Sequence, residues 1–320
     1  MKLNSTLIGL IAGTSAAVIG GGWQVVTRQA TTSTMSPADL VWLRYGIPAL
    51  LLMAITWRAG LLPRGVPRRW LALMVVGSGL PFGLLAMTGS RYAPTAHMGV
   101  LIAGAAPLFV ALFAWLISKE RPDSVRTAGL VLMSLGAALM GLKAFSGMGL
   151  PGAWRGDLLF VLAAAFWACF TLSFRRSGLT PWQGAALVNT WSVLMLMPWL
   201  IWQLWQGQFH LFDAPLNDFL WQCLWQGLFA GLLGLWTFNV AIRRLGAARA
   251  AAFGALAPVV SALGGWSWLG ERLDSFDAVA VGCAFLGVVL ASGALRGTTR
   301  SQNSASPDAK SPEHRPRPRA

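Results

Sequence analysis

The side chains that could do chemistry in this chain are few, and they are scattered through long apolar segments. A polar or titratable group inside such a segment costs free energy, so it marks a candidate for binding a solute or a proton. Aromatic side chains at similar depth can stack on an organic solute. The candidates for the wall of a binding cavity are Trp23, Gln24, Arg44, His97, Trp167, Trp236 and Asn239.

A purely structural role is the alternative for several of these residues. Arg44 lies about one turn into its segment and could extend outward to the membrane surface. The deeper tryptophans could pack against lipid, and Asn189 is typical of a hydrogen bond between helices. The sequence alone leaves these alternatives open.

Residue patterns of catalytic and metal sites are missing from the sequence. The three histidines and three cysteines have no metal-ligand spacing, and the motifs HExxH, GxSxG and GxxxxGK[ST] do not occur. Cys169, Cys223 and Cys283 lie within apolar segments, as small core residues do. We therefore expect no catalytic residue, no metal, no cofactor and no enzymatic activity.

The elements that must position the candidate residues are membrane helices. The chain is 55% hydrophobic and only 11% charged, with a mean hydropathy of +0.58, whereas a soluble domain carries about 25% charged residues. Ten stretches approach the length of about 20 residues that crosses a bilayer as a helix. They are residues 7–26, 40–57, 70–89, 96–117, 125–142, 158–174, 185–205, 219–242, 248–269 and 277–295. We expect an all-α membrane protein with ten transmembrane helices, because barrel strands would alternate and be about half as long.

The distribution of positive charge predicts the orientation. With ten spans and the N-terminus in the cytoplasm, the inner segments hold 19 Lys and Arg residues and the outer segments hold 6. Cytoplasmic loops carry the excess, so both termini are expected inside. Residues 297–320 are basic and rich in Ser and Pro, which is typical of a disordered tail. The net charge of +14 then lies beside anionic lipid and predicts no nucleic-acid partner.

The second half of the chain repeats the first half. Identical residues recur 151 positions apart, which aligns the third to fifth spans with the eighth to tenth. The pairs are Gly83 and Gly234, Pro107 and Pro258, Glu120 and Glu271, Arg121 and Arg272, Asp123 and Asp274, Ser124 and Ser275, and Gly136 and Gly287. Each copy has five spans, an odd number, so the second copy must enter the membrane from the opposite side. We expect two inverted five-helix repeats, residues 1–145 and 155–296.

An inverted repeat favours a secondary transporter. Its two conformations, related by pseudo-symmetry, open to opposite sides of the membrane, which is what alternating access requires. Prolines within spans are candidate hinges or kinks: Pro81, Pro107 and Pro258. The alternative is a non-transporting membrane sensor or scaffold.

The charged cluster that ends the fourth and ninth spans has two interpretations. It is a helix end capped by Asp123 or Asp274, or it is a gate that closes the cavity at each face. The candidate gate residues are Glu120, Arg121, Glu271 and Arg272.

Over residues 7–296 the chain resembles the EamA-type transporters of the drug/metabolite transporter superfamily. The resemblance rests on a proline followed thirteen residues later by a glutamate in each copy (Pro107 and Glu120, Pro258 and Glu271), on Gly22-Trp23 and Phe166-Trp167, and on Arg44-Tyr45. Members of this family often have Trp-Gly at the first motif, whereas here the glycines precede Trp23. The resemblance implies a central cavity between the repeats, walled by spans 1, 3, 4, 6, 8 and 9.

The resemblance also implies a carrier in a bacterial inner membrane that exports an amino acid or a related metabolite. The expected partners are a small-molecule solute, the lipid bilayer and a possible second copy in a homodimer. Energy coupling stays open, because no Asp or Glu lies at the centre of a span. Proton coupling would require His97 or a carboxylate at a span end, and the alternative is a facilitator driven by the solute gradient.

Overall fold

The computed structural model describes residues 5–119, 123–207, 210–246, 249–250 and 253–291. These residues form helices joined by short turns, and no strand occurs among them. We number the apolar spans in chain order. They are α1 (Ser5–Thr31), α2 (Pro37–Leu51 and Met53–Ala59), α3 (Arg68–Ser78 and Leu80–Gly89), α4 (Thr95–Met98, Gly99–Gly104 and Ala106–Ser118), α5 (Ser124–Phe145), α6 (Ala153–Ser177), α7 (Pro181–Gln206), α8 (Leu216–Gln222, Cys223–Gly234 and Leu235–Leu245), α9 (Leu256–Leu269) and α10 (Ser275–Ala291).

The predicted all-helical membrane fold is confirmed. Seven spans are long and apolar enough to cross a membrane unaided, α2 qualifies as a pair of helices bent by 66°, and α9 and α10 are shorter apolar helices. The sequence predicted a start of the ninth span at residue 248, whereas α9 begins at Leu256 after a turn at Gly254 and Ala255. The predicted tail, residues 297–320, lies outside the described residues.

The two ends of the bundle are distinguished by contacts between span ends. Ser5 at the start of α1 accepts a hydrogen bond from Arg244 near the end of α8, 3.1 Å away. We call this end, where α1 begins and α10 finishes, the terminal face. At the other end Thr31 closes α1 and shares a 2.9 Å hydrogen bond with Ser90, which follows α3. We call that end the opposite face.

Inverted symmetry is visible where α5 packs antiparallel to α10. A Cβ placed on Gly136 would lie 2.8 Å from the carbonyl oxygen of Ala280, and one placed on Gly287 would lie 2.7 Å from the carbonyl oxygen of Gly129. Adding 151 to Gly136 and subtracting 151 from Ala280 converts the first contact into the second. Both glycines therefore let two backbones meet at symmetry-related points.

Helix α3 is broken at Gly79, and side chains from two neighbouring spans satisfy the exposed backbone groups. The hydroxyl of Tyr45 on α2 donates to the Gly79 carbonyl oxygen at 2.6 Å. The hydroxyl of Ser192 on α7 accepts from the Leu80 backbone N–H at 3.0 Å. A freed backbone group at membrane depth needs such partners. Pro81, a predicted kink residue, follows this break directly.

Helices α4 and α9 are interrupted at equivalent places. In α4 the π-helical segment Gly99–Gly104 ends in a turn at Ala105, and Pro107 lies in the first helical turn that follows. In α9 the turn at Ala255 precedes a helix with Pro258 in its first turn. Proline is tolerated in a first turn because that N–H has no intrahelical acceptor. Pro107 thus follows a break within α4, and Pro258 follows the turn from which α9 begins.

Candidate functional site

A central cavity of about 960 Å³, counting its open mouth, lies between the two repeats. Its wall comes from α1, α3, α4, α6 and α8, from Ala250, Phe253, Gly254 and Ala257 at and just before the start of α9, and from Arg44 on α2. The first six are the spans that the family resemblance implied, and α2 is an addition. Pro107 also lines the cavity, next to the break in α4.

The cavity extends towards the terminal face. On the side of the opposite face, the last lining residues of four spans, Gln24, Arg44, Phe82 and Ile102, lie seven residues from their helix ends, a depth of about 10 Å at 1.5 Å per residue. On α9 the lining instead reaches Phe253 and Ala250, before the helix begins. On the side of the terminal face, the lining of α1, α4, α6 and α8 ends at Gly13, Val110, Thr171 and Phe238, six to eight residues from the helix ends. The cavity therefore lies about equally deep below both faces and extends further only along α9, at the terminal face.

Four aromatic side chains form an arc along the wall. The ring of Phe82 lies 6.1 Å from that of Trp23 and 5.2 Å from that of Trp167, and Phe238 lies 5.1 Å from Trp167. All four residues line the cavity. Rings at these separations attract one another and present a continuous apolar surface. The arc can hold the apolar or aromatic body of an organic solute.

Arg44 brings a positive charge into this apolar cavity. Its side chain is 6% exposed, and Cζ lies 4.2 Å from the centroid of the Trp23 ring. Nε and Nη1 are buried and have no hydrogen-bond partner. In the part of the chain that the structure describes, no carboxylate oxygen lies within 4 Å of the guanidinium. The alternative of a side chain extended to the membrane surface is wrong, because Arg44 turns into the bundle.

Gln24 adds a second unpartnered polar atom. The residue is 3% exposed, lines the cavity, and its Oε1 has no hydrogen-bond partner. Trp23 beside it is held in place, since its indole N–H donates to Oε1 of Gln226 at 2.7 Å. Gln226 in turn donates to the hydroxyl of Thr27 at 3.0 Å. The sequence analysis missed the role of Gln226 in positioning Trp23, because a single glutamine in an apolar span gives no signal of a partner about 200 residues away.

Towards the opposite face, Glu271 ties three elements together above the cavity. Its carboxylate pairs with Nε of Arg28 at 3.1 Å and accepts from the backbone N–H and the hydroxyl of Thr95. Arg28 also donates to the carbonyl oxygen of Ser90 at 2.6 Å. These bonds join α1, α4 and the segment after α9. They hold these three elements together at the opposite face.

The predicted gate pairing is not the one observed. Glu271 pairs with Arg28 of the other repeat, whereas Arg272 is exposed. Glu120 and Arg121 lie outside the described residues. The capping interpretation of the same cluster also describes real contacts, because the Asp123 carboxylate accepts from the N–H of Arg126 at 3.0 Å and the Asp274 carboxylate accepts from the N–H of Asp277 at 3.0 Å.

His97 belongs to a buried charged cluster away from the cavity. Its Nδ1 lies 2.8 Å from Oδ1 of Asp157, and its Nε2 lies 3.9 Å from Oδ1 of Asp277. Lys143 pairs with Asp277 at 2.7 Å and with Asp274 at 2.8 Å. The cluster joins α4, α5, α6 and α10. The sequence singled out His97 but not these partners, because their proximity in space has no local signal.

The last two candidates lie outside the cavity lining. Trp236 stacks on Trp182 with ring centroids 4.9 Å apart. Asn239 is fully buried and donates to the carbonyl oxygen of Pro181 at 3.2 Å, while its Oδ1 has no partner. Of the seven cavity candidates, the structure thus brings together Trp23, Gln24, Arg44 and Trp167.

Together these features define a multi-pass membrane protein whose helices surround a central cavity. A model of the EamA-like transporter family matches residues 7–142 and matches again at residues 154–293. The chain belongs to the EamA-like transporter family. The family points to a transporter rather than to an enzyme.

Two known proteins show how far the similarity extends. The uncharacterized transporter YyaM of Bacillus subtilis (strain 168) is 23% identical over 277 residues, which cover 83% of this chain and 88% of that protein. A solved structure titled only "Crystal structure of protein" superimposes with a TM-score of 0.58 at 18% identity, over 91% of this chain and 97% of that one. The second similarity concerns the fold alone.

Proposed function

We propose that this protein is a carrier of the bacterial inner membrane that exports a small organic solute, an amino acid or a related metabolite, by alternating access. The observation that carries the proposal is a cavity between two inverted repeats that reaches towards the terminal face along α9, while Glu271 ties α1, α4 and the segment after α9 together at the opposite face. Alternating access requires a cavity that is reached from one side of the membrane at a time.

Charge distribution supports the orientation of this state. The excess of Lys and Arg assigns the terminal face to the cytoplasm. The cavity then receives its solute from inside the cell, and the contacts of Glu271 with Arg28 and Thr95 close the outer side.

Transport by reconstituted protein is the direct test. Purified protein in proteoliposomes should move at least one labelled solute from a panel of amino acids and aromatic metabolites, measured with and without an imposed proton gradient. Movement only with the gradient identifies a coupled carrier, and movement without it identifies a facilitator. Failure to move any member of the panel contradicts the proposed function.

A matched pair of glycine variants links transport to the cavity. Gly20 lines the cavity, and a Cβ added there would meet no atom within 4 Å. Gly282 on α10 has equal free space but lies outside the cavity lining. Gly20→Leu should reduce transport about tenfold or more, because a leucine side chain fills solute space at a cost above about 1.4 kcal/mol of binding. Gly282→Leu should transport as wild type does.

A further inference from the structure

The polar side chains of the cavity wall carry a positive charge that no negative side chain of the wall offsets. In the described part of the chain, the lining includes one cation, Arg44, and neutral polar side chains such as Gln24 and Thr171, but no Asp or Glu. Arg44 has lost its water by burial and has gained no acceptor for Nε or Nη1. The face of Trp23 attracts the guanidinium but accepts none of its in-plane hydrogen bonds.

An unpaired buried charge is costly, by several kcal/mol in a protein interior. No neighbour in the described part of the chain gives Arg44 a free carboxylate. The hydroxyl of Tyr45, the adjacent residue, donates to the carbonyl oxygens of Gly79 and Ser78, and its oxygen is only a neutral acceptor for the guanidinium. Glu271 is held by Arg28 and Thr95 at the opposite face. Arg44 therefore lacks a carboxylate in a site whose shape and position are those of a solute cavity.

We propose that Arg44 binds the carboxylate of the transported solute, whose apolar body lies against Trp23, Phe82, Trp167 and Phe238. This inference rests on the proposed function and names the substrate class of the same cavity, an organic monocarboxylate. Guanidinium and carboxylate are geometrically matched, and hydrogen bonds between charged partners are about twice as strong as neutral ones. Gln24, with its free Oε1, accepts a hydrogen bond from an amino or hydroxyl group on the same solute.

Charge balance favours a carboxylate over the other solute classes. A solute that is only a cation would meet Arg44 with no lining carboxylate to offset the repulsion. A phosphate or phosphonate brings about two negative charges, of which one would remain unpaired in an apolar cavity. A neutral solute would leave Arg44 without a charged partner. A single carboxylate satisfies the site.

Binding of matched carboxylates and amides tests the proposal. The probes are L-phenylalanine and 3-phenylpropanoate, their amides phenylalaninamide and 3-phenylpropanamide, and 2-phenylethylphosphonate, each titrated calorimetrically into the purified full-length protein. Each carboxylate should bind about 10-fold to 100-fold more tightly than its amide, the factor that hydrogen bonds to a charged group supply. Carboxylates that fail to bind, or an amide or the phosphonate that binds as tightly, would overturn the proposal.

Variants of two arginines separate binding from structure. Arg44→Gln should reduce the ratio of carboxylate to amide affinity to about one, whereas Arg44→Lys should keep part of it, because Lys retains the charge without the planar fork. Arg243 is the matched control. Its Cζ lies 4.7 Å from the Phe174 ring, but Nη2 donates to the carbonyl oxygens of Phe174 and Leu179. Arg243→Gln should leave the ratio unchanged, and an unchanged ratio in Arg44→Gln refutes the inference.

The outcomes also separate this inference from the proposed function. Carboxylate binding that depends on Arg44, without movement of any solute in proteoliposomes, would contradict a carrier and leave the binding site standing. Transport of a solute at equal rates by the wild type and by Arg44→Gln would leave the carrier standing and remove Arg44 from its site.

Discussion

Arg44 and Lys143 are equally buried cations in two regions of the same bundle, and their surroundings are opposite. Arg44 is 6% exposed in the central cavity, and Nε and Nη1 have no partner. Lys143 is 7% exposed in the cluster of α4, α5, α6 and α10, and it lies within 2.8 Å of two carboxylates. A charge with partners built into the chain stabilises the fold. A charge without them is available to a ligand.

The same contrast extends to the closed face. Arg28 meets Glu271 and the carbonyl oxygen of Ser90, so the ions nearest the opposite face hold helices together. The cavity has an arc of aromatic rings and a guanidinium without a carboxylate partner instead. An ion pair that can separate is suited to a gate, whereas a buried charge without a counter-ion is suited to binding a charged solute.

The largest expected effect is a difference in stability between two variants. One breaks the ion pair between Lys143 and Asp277, and the other removes the charge of Arg44, which has no carboxylate partner. Lys143→Met leaves Asp277 buried without its partner, which should lower the free energy of unfolding by about 3–5 kcal/mol. Arg44→Met removes a charge that has no partner and should leave stability unchanged or higher. Denaturation of both variants in the same detergent checks this. Equal losses in the two would show that Arg44 is a structural residue.

An intermediate effect is expected from loosening the closed face. Glu271→Gln leaves Arg28 without its carboxylate and should destabilise the closed conformation by about 2 kcal/mol, the cost of a lost hydrogen bond to a charged group. A cysteine introduced at Thr31, in a variant without the native cysteines, should then react faster with a membrane-impermeant thiol reagent.

Arg272→Gln is the control for that experiment, since Arg272 is adjacent and exposed. It should leave the rate of labelling at residue 31 unchanged. Equal labelling of wild type and Glu271→Gln would mean that Glu271 does not hold the face closed.

His97 extends the comparison between the cavity and the buried charged cluster, because the sequence marked it as a cavity candidate and the structure places it in the cluster with Lys143. His97→Gln removes the 2.8 Å contact with Asp157 and should cost about 1–3 kcal/mol of stability, as does an unsatisfied buried polar group. Affinity for 3-phenylpropanoate should stay within about twofold of wild type, since His97 is no part of the cavity lining. A large loss of affinity without loss of stability would place His97 in the solute site.

The smallest expected effect is a dependence of stability on pH, which comes from Asp274 at the edge of the buried charged cluster. Asp274 lies just outside α10, and its pKa is lowered, because burial, which raises it, is outweighed by the hydrogen bond and charge of the Lys143 ammonium. Its contribution to stability is therefore complete above the ordinary pKa of an aspartate and is lost as the pH falls through the lowered value. The side chain is 46% exposed, so the contribution is small.

Melting temperatures measured from neutral to acidic pH test this prediction. The wild type should be slightly more stable than Asp274→Asn at neutral pH, and the difference should shrink on acidification. A difference that grows as the pH falls would contradict the assigned pairing with Lys143.

Much of the fold could be predicted because membrane insertion is a local property of sequence. Hydropathy located ten apolar helices. Residues that recur 151 positions apart divided these helices into two copies of five, and because five is odd, the second copy is inverted relative to the first. The sequence did not predict the turn before α9, because a run of apolar residues has the same hydropathy whether its helix is continuous or broken. Of the candidate site, Trp23, Gln24, Arg44 and Trp167 reach the cavity, whereas Phe82 and Phe238 gave no signal, since phenylalanine is ordinary on any membrane helix.

The class of the protein, its ten apolar helices and its inverted repeat follow from the amino-acid sequence, and so does the scarcity of charge that makes each buried polar residue conspicuous. Which of those residues are paired depends on how the helices pack. Arg44 and His97 look alike in sequence, as single ionisable residues in apolar helices, yet one faces a cavity and the other meets Asp157, 60 residues away. When lipid-facing and core-facing residues are both apolar, helix rotation has no sequence periodicity to reveal it. Contacts between distant spans fix that rotation, and they determine which charge remains free for a solute.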